Sequence, residues 1–207
     1  MAKWIIDTAH TEIGFKVKHL VISTVSGKFT SFEGSLESDK EDFTDAKISF
    51  SAYVNSITTG NEQRDTHLKS DDFFNAEKFP KISFKSTGVV HKGGSDYILK
   101  GDLTIRDITK PVELKAEFGG TQQDFYGRTV AGFEITGKIS RKEFGLKWNG
   151  ITEAGSIVVS DEVRLVIAAE IVKQVEAKLR QQPGNKPVYL KLVAAKAWYM
   201  NARLYEN

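Results

Sequence analysis

The chain has 207 residues, 40% of them hydrophobic, which is enough to build a folded core. Its 29 basic and 27 acidic residues leave a net charge of +2, which argues against a nucleic-acid partner. There is no cysteine, so disulfides and thiolate chemistry are excluded. The sequence contains no run of about 18 apolar residues, so it predicts no transmembrane helix. The start MAKWIIDTAH lacks a secretory signal, so we expect a cytoplasmic chain, or a periplasmic one if a signal was removed.

Apolar and polar residues alternate along eight runs, which begin at residues 12, 28, 46, 81, 97, 112, 129 and 162. In the first run, Ile13, Phe15 and Val17 face one way, while Lys16 and Lys18 face the other. A period of two residues is typical of β-strands that bury one face and expose the other. We therefore predict an all-β chain of antiparallel strands.

Sandwiches and closed barrels both satisfy this pattern, but long antiparallel strands favour closure because it removes their exposed edges. We predict an eight-stranded antiparallel barrel, about the smallest that can either fill its interior or hold one ligand. The inward faces mix large residues such as Phe50 and Phe118 with small ones such as Ala52, Gly101 and Ala116. Two interpretations stay open: a solid core of complementary sizes, or an apolar tunnel.

The segment NEQRDTHLKSDDFFNAEKFP, residues 61–80, interrupts the strands. Thr59 and Glu62 fit a helical capping box, and the helix that follows contains one good apolar residue, Leu68. A helix this polar belongs at the rim of the barrel rather than in its core. We predict a short helical lid whose Phe73 and Phe74 face the lumen, with a plain plug over a solid core as the alternative.

The four histidines, His10, His19, His67 and His91, lack the spacing of a zinc site. The sequence also contains no nucleophile elbow, phosphate loop or dinucleotide fingerprint. We therefore predict no catalytic residues, no metal, no cofactor and no enzymatic activity. A metal site assembled from distant strands, and an enzyme that acts on a lipid head group, stay alternatives.

The alternation ends near residue 174, and PGNKP breaks the tail that follows. We predict a barrel domain at 1–174 and a helical C-terminal extension at 175–207. The extension could pack on the barrel, form a homodimer, touch a membrane surface or be engineered. A homodimer through the barrel or this helix, and a scaffold role that uses such contacts, remain the alternative to ligand binding.

Four segments carry a family resemblance: DTAHTEIGFKVKHLVISTVSGKF, NEQRDTHLKSDDFFNAEKFPKISFKS, LKGDLTIRDITKPVEL and AGFEITGKISRKEFGLKWN. Together they resemble the YceI-like family of polyisoprenoid-binding proteins, in order, from residue 3 to about residue 173. The resemblance implies a lipocalin-like barrel whose long apolar tunnel binds, carries or stores an isoprenoid chain, such as a polyprenyl phosphate or a quinone tail. The C-terminal tail has no counterpart in this resemblance.

The resemblance also implies which residues contact the ligand, a long-chain apolar lipid. The tunnel lining would comprise Phe15, Val17, Phe32, Phe50, Phe84, Leu103, Phe133, Ile135 and Ile167, with Phe73 and Phe74 at the lid. Candidates for the head group at the polar mouth are Arg64, Asp65, His67, Arg141 and Lys142. Arginine and lysine would suit a phosphate. The alternative for each charged residue is a solvated rim or a salt bridge.

Overall fold

The structure is a computed structural model that describes residues 1–150 and 158–175. Its regular elements in that part of the chain are eleven strand segments, one α-helix and two short 3₁₀-helices, Val54–Ser56 and Arg141–Phe144. In chain order the strands and the α-helix are β1 (Ala2–Ile6), β2 (Glu12–His19), β3 (Ser23–Phe29), β4 (Phe32–Ser38), β5 (Lys47–Tyr53), β6 (Ile57–Thr58), α1 (Glu62–Lys69), β7 (Lys81–Gly93), β8 (Asp96–Ile105), β9 (Ile108–Gln123), β10 (Thr129–Ser140) and β11 (Val159–Lys173).

The segments form one antiparallel sheet that closes on itself as an eight-stranded barrel. β1 and β2 both pair with β11, so they act as one long strand with a turn in the middle. In the same way β4 and β3 pair with β1 and β2, and β5 and β6 pair with β4 and β3. The three broken strands allow a strongly coiled sheet to bend while it stays hydrogen-bonded.

The predicted all-β, eight-stranded antiparallel barrel is confirmed, including the helical insertion. The strand β1 was not predicted, because five residues are too few to show alternation clearly. The first predicted run ends early, at His19, since Leu20 and Val21 adopt left-handed backbone angles. The predicted helical extension lies outside the described residues except for residue 175. Within the described ranges, no helix is both long and apolar enough to cross a membrane.

Some small inward residues make room for large neighbours, as the solid-core interpretation predicts. A Cβ atom on Gly101 would overlap the ring of Phe84, and one on Gly137 would overlap the side chain of Leu114. Ala46, Ala52, Ala116 and Ala169 instead line an internal cavity. Size complementarity and a hollow interior therefore coexist in this barrel.

The contact at Gly101 predicts a destabilising effect of a single methyl group. We expect Gly101→Ala to lower the free energy of unfolding by about 1–3 kcal/mol, because the new Cβ atom would overlap the Phe84 ring and also lie 2.6 Å from the backbone carbonyl oxygen of Lys85. The control is Gly88→Ala, since a Cβ atom there meets nothing within 4 Å and the backbone is not left-handed. Urea denaturation of both variants tests this, and equal stabilities would contradict the packing argument.

Candidate functional site

An elongated cavity of about 280 Å³ lies inside the barrel. That volume is close to the lower end of the roughly 300–1,000 Å³ typical of ligand pockets. Alternate residues of β11 from Val163 to Ile171 line it, which corresponds to about 27 Å of strand at roughly 3.4 Å per residue. The cavity is therefore a narrow channel that follows the strands rather than a round pocket.

The channel wall is apolar along its length. Aromatic and aliphatic side chains supply most of it, and among the lining residues that the structure describes Arg141 alone carries a charge. Water molecules are poorly stabilised inside this channel, because each buried water needs hydrogen bonds to two or more polar partners. A channel of this kind favours a hydrocarbon chain over any polar ligand.

Aromatic rings close one end of the channel, here called the closed end. Phe43, in the loop between β4 and β5, is 4% exposed and has a left-handed backbone with φ of 56°. Its ring centre lies 5.3 Å from that of Trp4, 5.6 Å from that of Phe118 and 5.4 Å from that of Phe133. These edge-to-face contacts are individually favourable, so the closed end is a packed aromatic floor.

The helix α1 and the turn after it cover the opposite end, here called the lid end. Leu68, Phe73 and Phe74 all line the channel from this insertion. The ring of Phe73 lies 5.4 Å from that of Trp148, and the ring of Phe74 lies 6.3 Å from that of Phe29. The insertion thus places apolar side chains on the channel, although no residue of α1 itself is buried.

The cap of α1 differs from the predicted capping box. The Asn61 side chain accepts the hydrogen bond from the Arg64 amide, at 2.9 Å, and so Asn61 is the N-cap. Thr59 instead donates its hydroxyl to Asp65 Oδ1 and accepts a hydrogen bond from Arg64 Nε. The prediction failed because Asn caps a helix as well as Thr does, and the chain turns after Gly60.

An arginine that was not among the predicted site residues anchors the lid. Arg106, in the turn between β8 and β9, donates hydrogen bonds to the carbonyls of Asp71 and Phe73 and pairs with the Asp71 carboxylate at 3.0 Å. Its guanidinium also lies 5.4 Å from the ring centre of Phe79. The segment RDITKP reads as a turn signal, and only the tertiary structure brings it against the lid.

Arg141 is buried, with 2% exposure, at the lid end of the channel. All five of its N–H groups donate hydrogen bonds; the acceptors are the carbonyls of Leu146, Trp148, Val159 and Ser160 and the side-chain oxygen of Asn149. Burial lowers its pKa, and the nearby Asp161 carboxylate opposes that effect. The guanidinium therefore clamps the loop after β10 onto the start of β11.

Asp161 and Lys142 lie beside this clamp. Burial raises the pKa of the Asp161 carboxyl, but hydrogen bonds from the Ser140 hydroxyl and the Lys142 amide, together with the charges of Lys142 and Arg141, lower it overall. The side chain of Lys142 is exposed. Beside the clamp, therefore, Arg141 and Lys142 provide positive charge next to one carboxylate, Asp161, that is already hydrogen-bonded.

The other predicted head-group residues are engaged within the lid. Arg64 and Asp65 brace Thr59, as described above. His67 Nε2 lies 2.8 Å from Asp72 Oδ2, and its ring contacts the rings of Phe73 and Trp148 edge-on. Trp148 thus connects His67 to Arg141, whose guanidinium binds the Trp148 carbonyl at 2.8 Å. Arg64 and Asp65 are not part of that connection.

Most of the eleven side chains predicted to contact the ligand lie on the channel wall. Ten of the eleven line the channel: Phe15, Val17, Phe50, Phe73, Phe74, Phe84, Leu103, Phe133, Ile135 and Ile167. Phe32 does not; it is buried beside Phe50, with ring centres 6.2 Å apart. Phe43, Tyr97 and Leu36 also line the channel but were not among the predicted contacts. Phe43 lies in a loop and Leu36 in an irregular run, whereas the alternation placed Tyr97 on an apolar face without marking it as a ligand contact.

One group of potential metal ligands occurs in the part of the chain that the structure describes. Asp7, His10 and Glu170 hold their ligand atoms within 4.8 Å of one another at the closed end. Arg128 also lies 3.5 Å from Asp7. Burial raises the pKa of Asp7, but hydrogen bonds from Ala9 and His10 and the charges of His10 and Arg128 lower it overall. The three residues therefore form an ion-pair network together with Arg128.

Comparison with known proteins identifies the fold and the family together. The family profile described as a YceI-like domain matches residues 4–171. The chain belongs to the YceI-like family. A UPF0312 protein of Staphylococcus aureus is 37% identical over 171 residues, which is 82% of this chain and 97% of that protein. A UPF0312 protein of Shewanella denitrificans is 39% identical over 175 residues, or 84% and 88% of the two chains.

Solved structures give the same YceI-like architecture. The Campylobacter jejuni YCEI protein matches with a TM-score of 0.64 and 32% identity, covering 82% of this chain and 96% of that one. BcnA of Burkholderia cenocepacia matches with a TM-score of 0.70 and 19% identity, over 80% and 98%. A polyisoprenoid binding domain from Saccharophagus degradans matches with a TM-score of 0.60 and 14% identity, covering 83% of this chain and 98% of that one. At such low identities the last two show the fold alone.

Proposed function

We propose that this YceI-like barrel binds one long-chain isoprenoid-like lipid in its channel and carries or stores it without chemical change. The tail would extend toward the aromatic floor at Phe43, and the head group would stay near the lid. The observation that carries this proposal is the channel itself: it is narrow, follows the strands, has an apolar wall and is closed at one end.

The physical basis is the removal of hydrocarbon from water. Each buried CH₂ group contributes about 0.8 kcal/mol, so a chain of several isoprene units binds well without any specific polar contact. A rigid wall of strands also means that little conformational entropy is lost by the protein on binding. The Saccharophagus degradans protein that shares this fold is itself a polyisoprenoid binding domain.

For the head group we propose Arg141, Lys142 and His67, which share the lid end. Arg141 has all its N–H groups engaged, so it would act through its positive charge, while the exposed Lys142 could contact a phosphate directly. Arg64 and Asp65, also candidates from the sequence, would contribute by holding the lid in place rather than by binding. The apolar lining, with Arg141 as its one described charge, supports a binding role rather than catalysis.

The test is native mass spectrometry of the full chain purified without detergent, followed by organic extraction and lipid analysis. We expect one bound molecule per chain, with a polyprenyl or other long hydrocarbon tail. The same preparation after denaturation serves as the control, since it should release that mass. A chain that is uniformly empty and does not take up an added isoprenoid alcohol would contradict the proposal.

A further inference from the structure

The turn between β2 and β3 presents two aliphatic side chains to solvent. Val21 is 78% exposed and Ile22 is 85% exposed. Leu20 and Val21 adopt left-handed backbone angles, with φ of 50° and 66°. A β-branched residue rarely adopts this conformation, and such strain tends to occur where a segment has a function. The tight hairpin between His19 and Ser23 needs left-handed residues, but glycine, asparagine or aspartate would meet that need with less strain than valine.

This turn lies at the lid end of the barrel. The Leu20 amide donates to the Val158 carbonyl at 3.0 Å, next to the start of β11. His19 pairs with Val159, whose carbonyl accepts a hydrogen bond from Arg141. The two exposed aliphatic residues are therefore at the same end as the clamp, the lid and the proposed head-group site.

Positive charge accompanies the apolar turn. Lys16 and Lys18 lie on the outer face of β2 and are exposed. Among residues 1–150 and 158–175, no carboxylate forms an ion pair with either of them, and Glu162 on the neighbouring strand already pairs with Lys138 and Arg164. An exposed aliphatic pair beside unpaired lysines is a pattern that suits an anionic lipid surface.

We propose that the β2–β3 turn docks the lid end of the barrel on an anionic membrane surface. Val21 and Ile22 would enter the acyl boundary, while Lys16 and Lys18 would contact lipid phosphates. This inference rests on the proposed function, because docking is useful to a barrel that takes up a lipid. It places the head-group end of the channel against the membrane that supplies the lipid. Two side chains are too small an area for a stable protein interface, which buries about 1,200 Å² or more, so a membrane is the partner we commit to.

A second exposed pair offers a matched control at the other end of the molecule. Phe125 and Tyr126 form the tip of the β9–β10 turn and are 99% and 77% exposed. That turn follows the end of β9 and precedes Val130, which pairs with Val172 near the end of β11. It therefore lies at the closed end, where docking would turn the lid away from the membrane.

The experiment is flotation of the full chain with phosphatidylcholine vesicles that contain or lack phosphatidylglycerol. We expect binding to the anionic vesicles, and a loss of about tenfold or more in Val21→Ser/Ile22→Ser because two aliphatic side chains no longer leave water. Phe125→Ser/Tyr126→Ser should bind as the parent chain does. Binding should weaken when the ionic strength rises from about 0.01 M to about 0.1 M, which shortens the Debye length roughly threefold.

Three results would overturn the docking proposal: no vesicle binding by the parent chain, full binding by Val21→Ser/Ile22→Ser, or an equal loss in the control variant. Full binding by the first variant would assign docking to another surface, such as the C-terminal tail. Native mass spectrometry on the same samples separates the two proposals. A chain that holds lipid but ignores vesicles refutes docking alone, whereas a vesicle-binding chain that never holds lipid refutes the lipid-binding proposal.

Discussion

Replacing Arg141 by methionine is expected to lower the free energy of unfolding by about 3–5 kcal/mol, the largest stability effect we predict. Methionine has a similar length, so the change removes mainly the charge and five hydrogen bonds. The four carbonyls and the Asn149 side chain that accept those bonds would lose their partners in a buried place. Urea denaturation monitored by tryptophan fluorescence measures the loss.

Two further variants show whether geometry or charge matters. Arg141→Lys keeps the charge but cannot reproduce a planar fork of five donors, so we expect it to recover less than half of the lost stability. Lys142→Met makes the same chemical change at the exposed neighbour and should shift stability by no more than about 0.5 kcal/mol. An Arg141→Met variant as stable as Lys142→Met would show that the clamp is not needed.

Replacing Ala116 by phenylalanine is expected to weaken the binding of a long isoprenoid alcohol by at least about tenfold, because its ring would fill the channel near the closed end. Ala116 lines the channel, is 9% exposed and pairs with Tyr97 and Ile135 on its two neighbouring strands. Short isoprenoids that stay in the lid half should still bind. Titration of each alcohol, with tryptophan fluorescence as the readout, measures both effects.

The matched control for this variant is Lys115→Phe, which puts the same ring on the exposed outer face of β9. It should bind long and short alcohols as the parent chain does. Thermal unfolding shows whether Ala116→Phe still folds, since an overfilled wall can itself be unstable. A folded Ala116→Phe barrel that binds the long alcohol normally would place the ligand outside the channel.

The barrel could be predicted because its signal is local. Ile13, Phe15 and Val17 alternate with lysines, and such a pattern determines the face of a strand whatever lies far away in the chain. Strands supplied eight of the predicted residues that line the channel, and the lid supplied the other two, Phe73 and Phe74. Phe32 was included on the family resemblance, which does not show whether a buried ring ends at a cavity or against another ring such as Phe50.

The features that close the two ends could not be predicted. Phe43 forms the floor from within a loop, with a left-handed backbone that sequence patterns do not favour for phenylalanine. Arg106 anchors the lid through a contact between residues 33 to 35 positions apart. The full engagement of Arg141 also depends on the loop after β10, which sequence alone does not position. These are tertiary contacts, and no local period encodes them.

Binding of a series of isoprenoid alcohols of increasing length shows most directly whether the channel holds a hydrocarbon tail. We expect affinity for the full chain to rise by a constant factor, about tenfold or more per added isoprene unit, until the tail reaches the floor at Phe43, and then to level off. An affinity that is independent of tail length, or no binding at any length, would contradict a hollow, lipid-holding barrel.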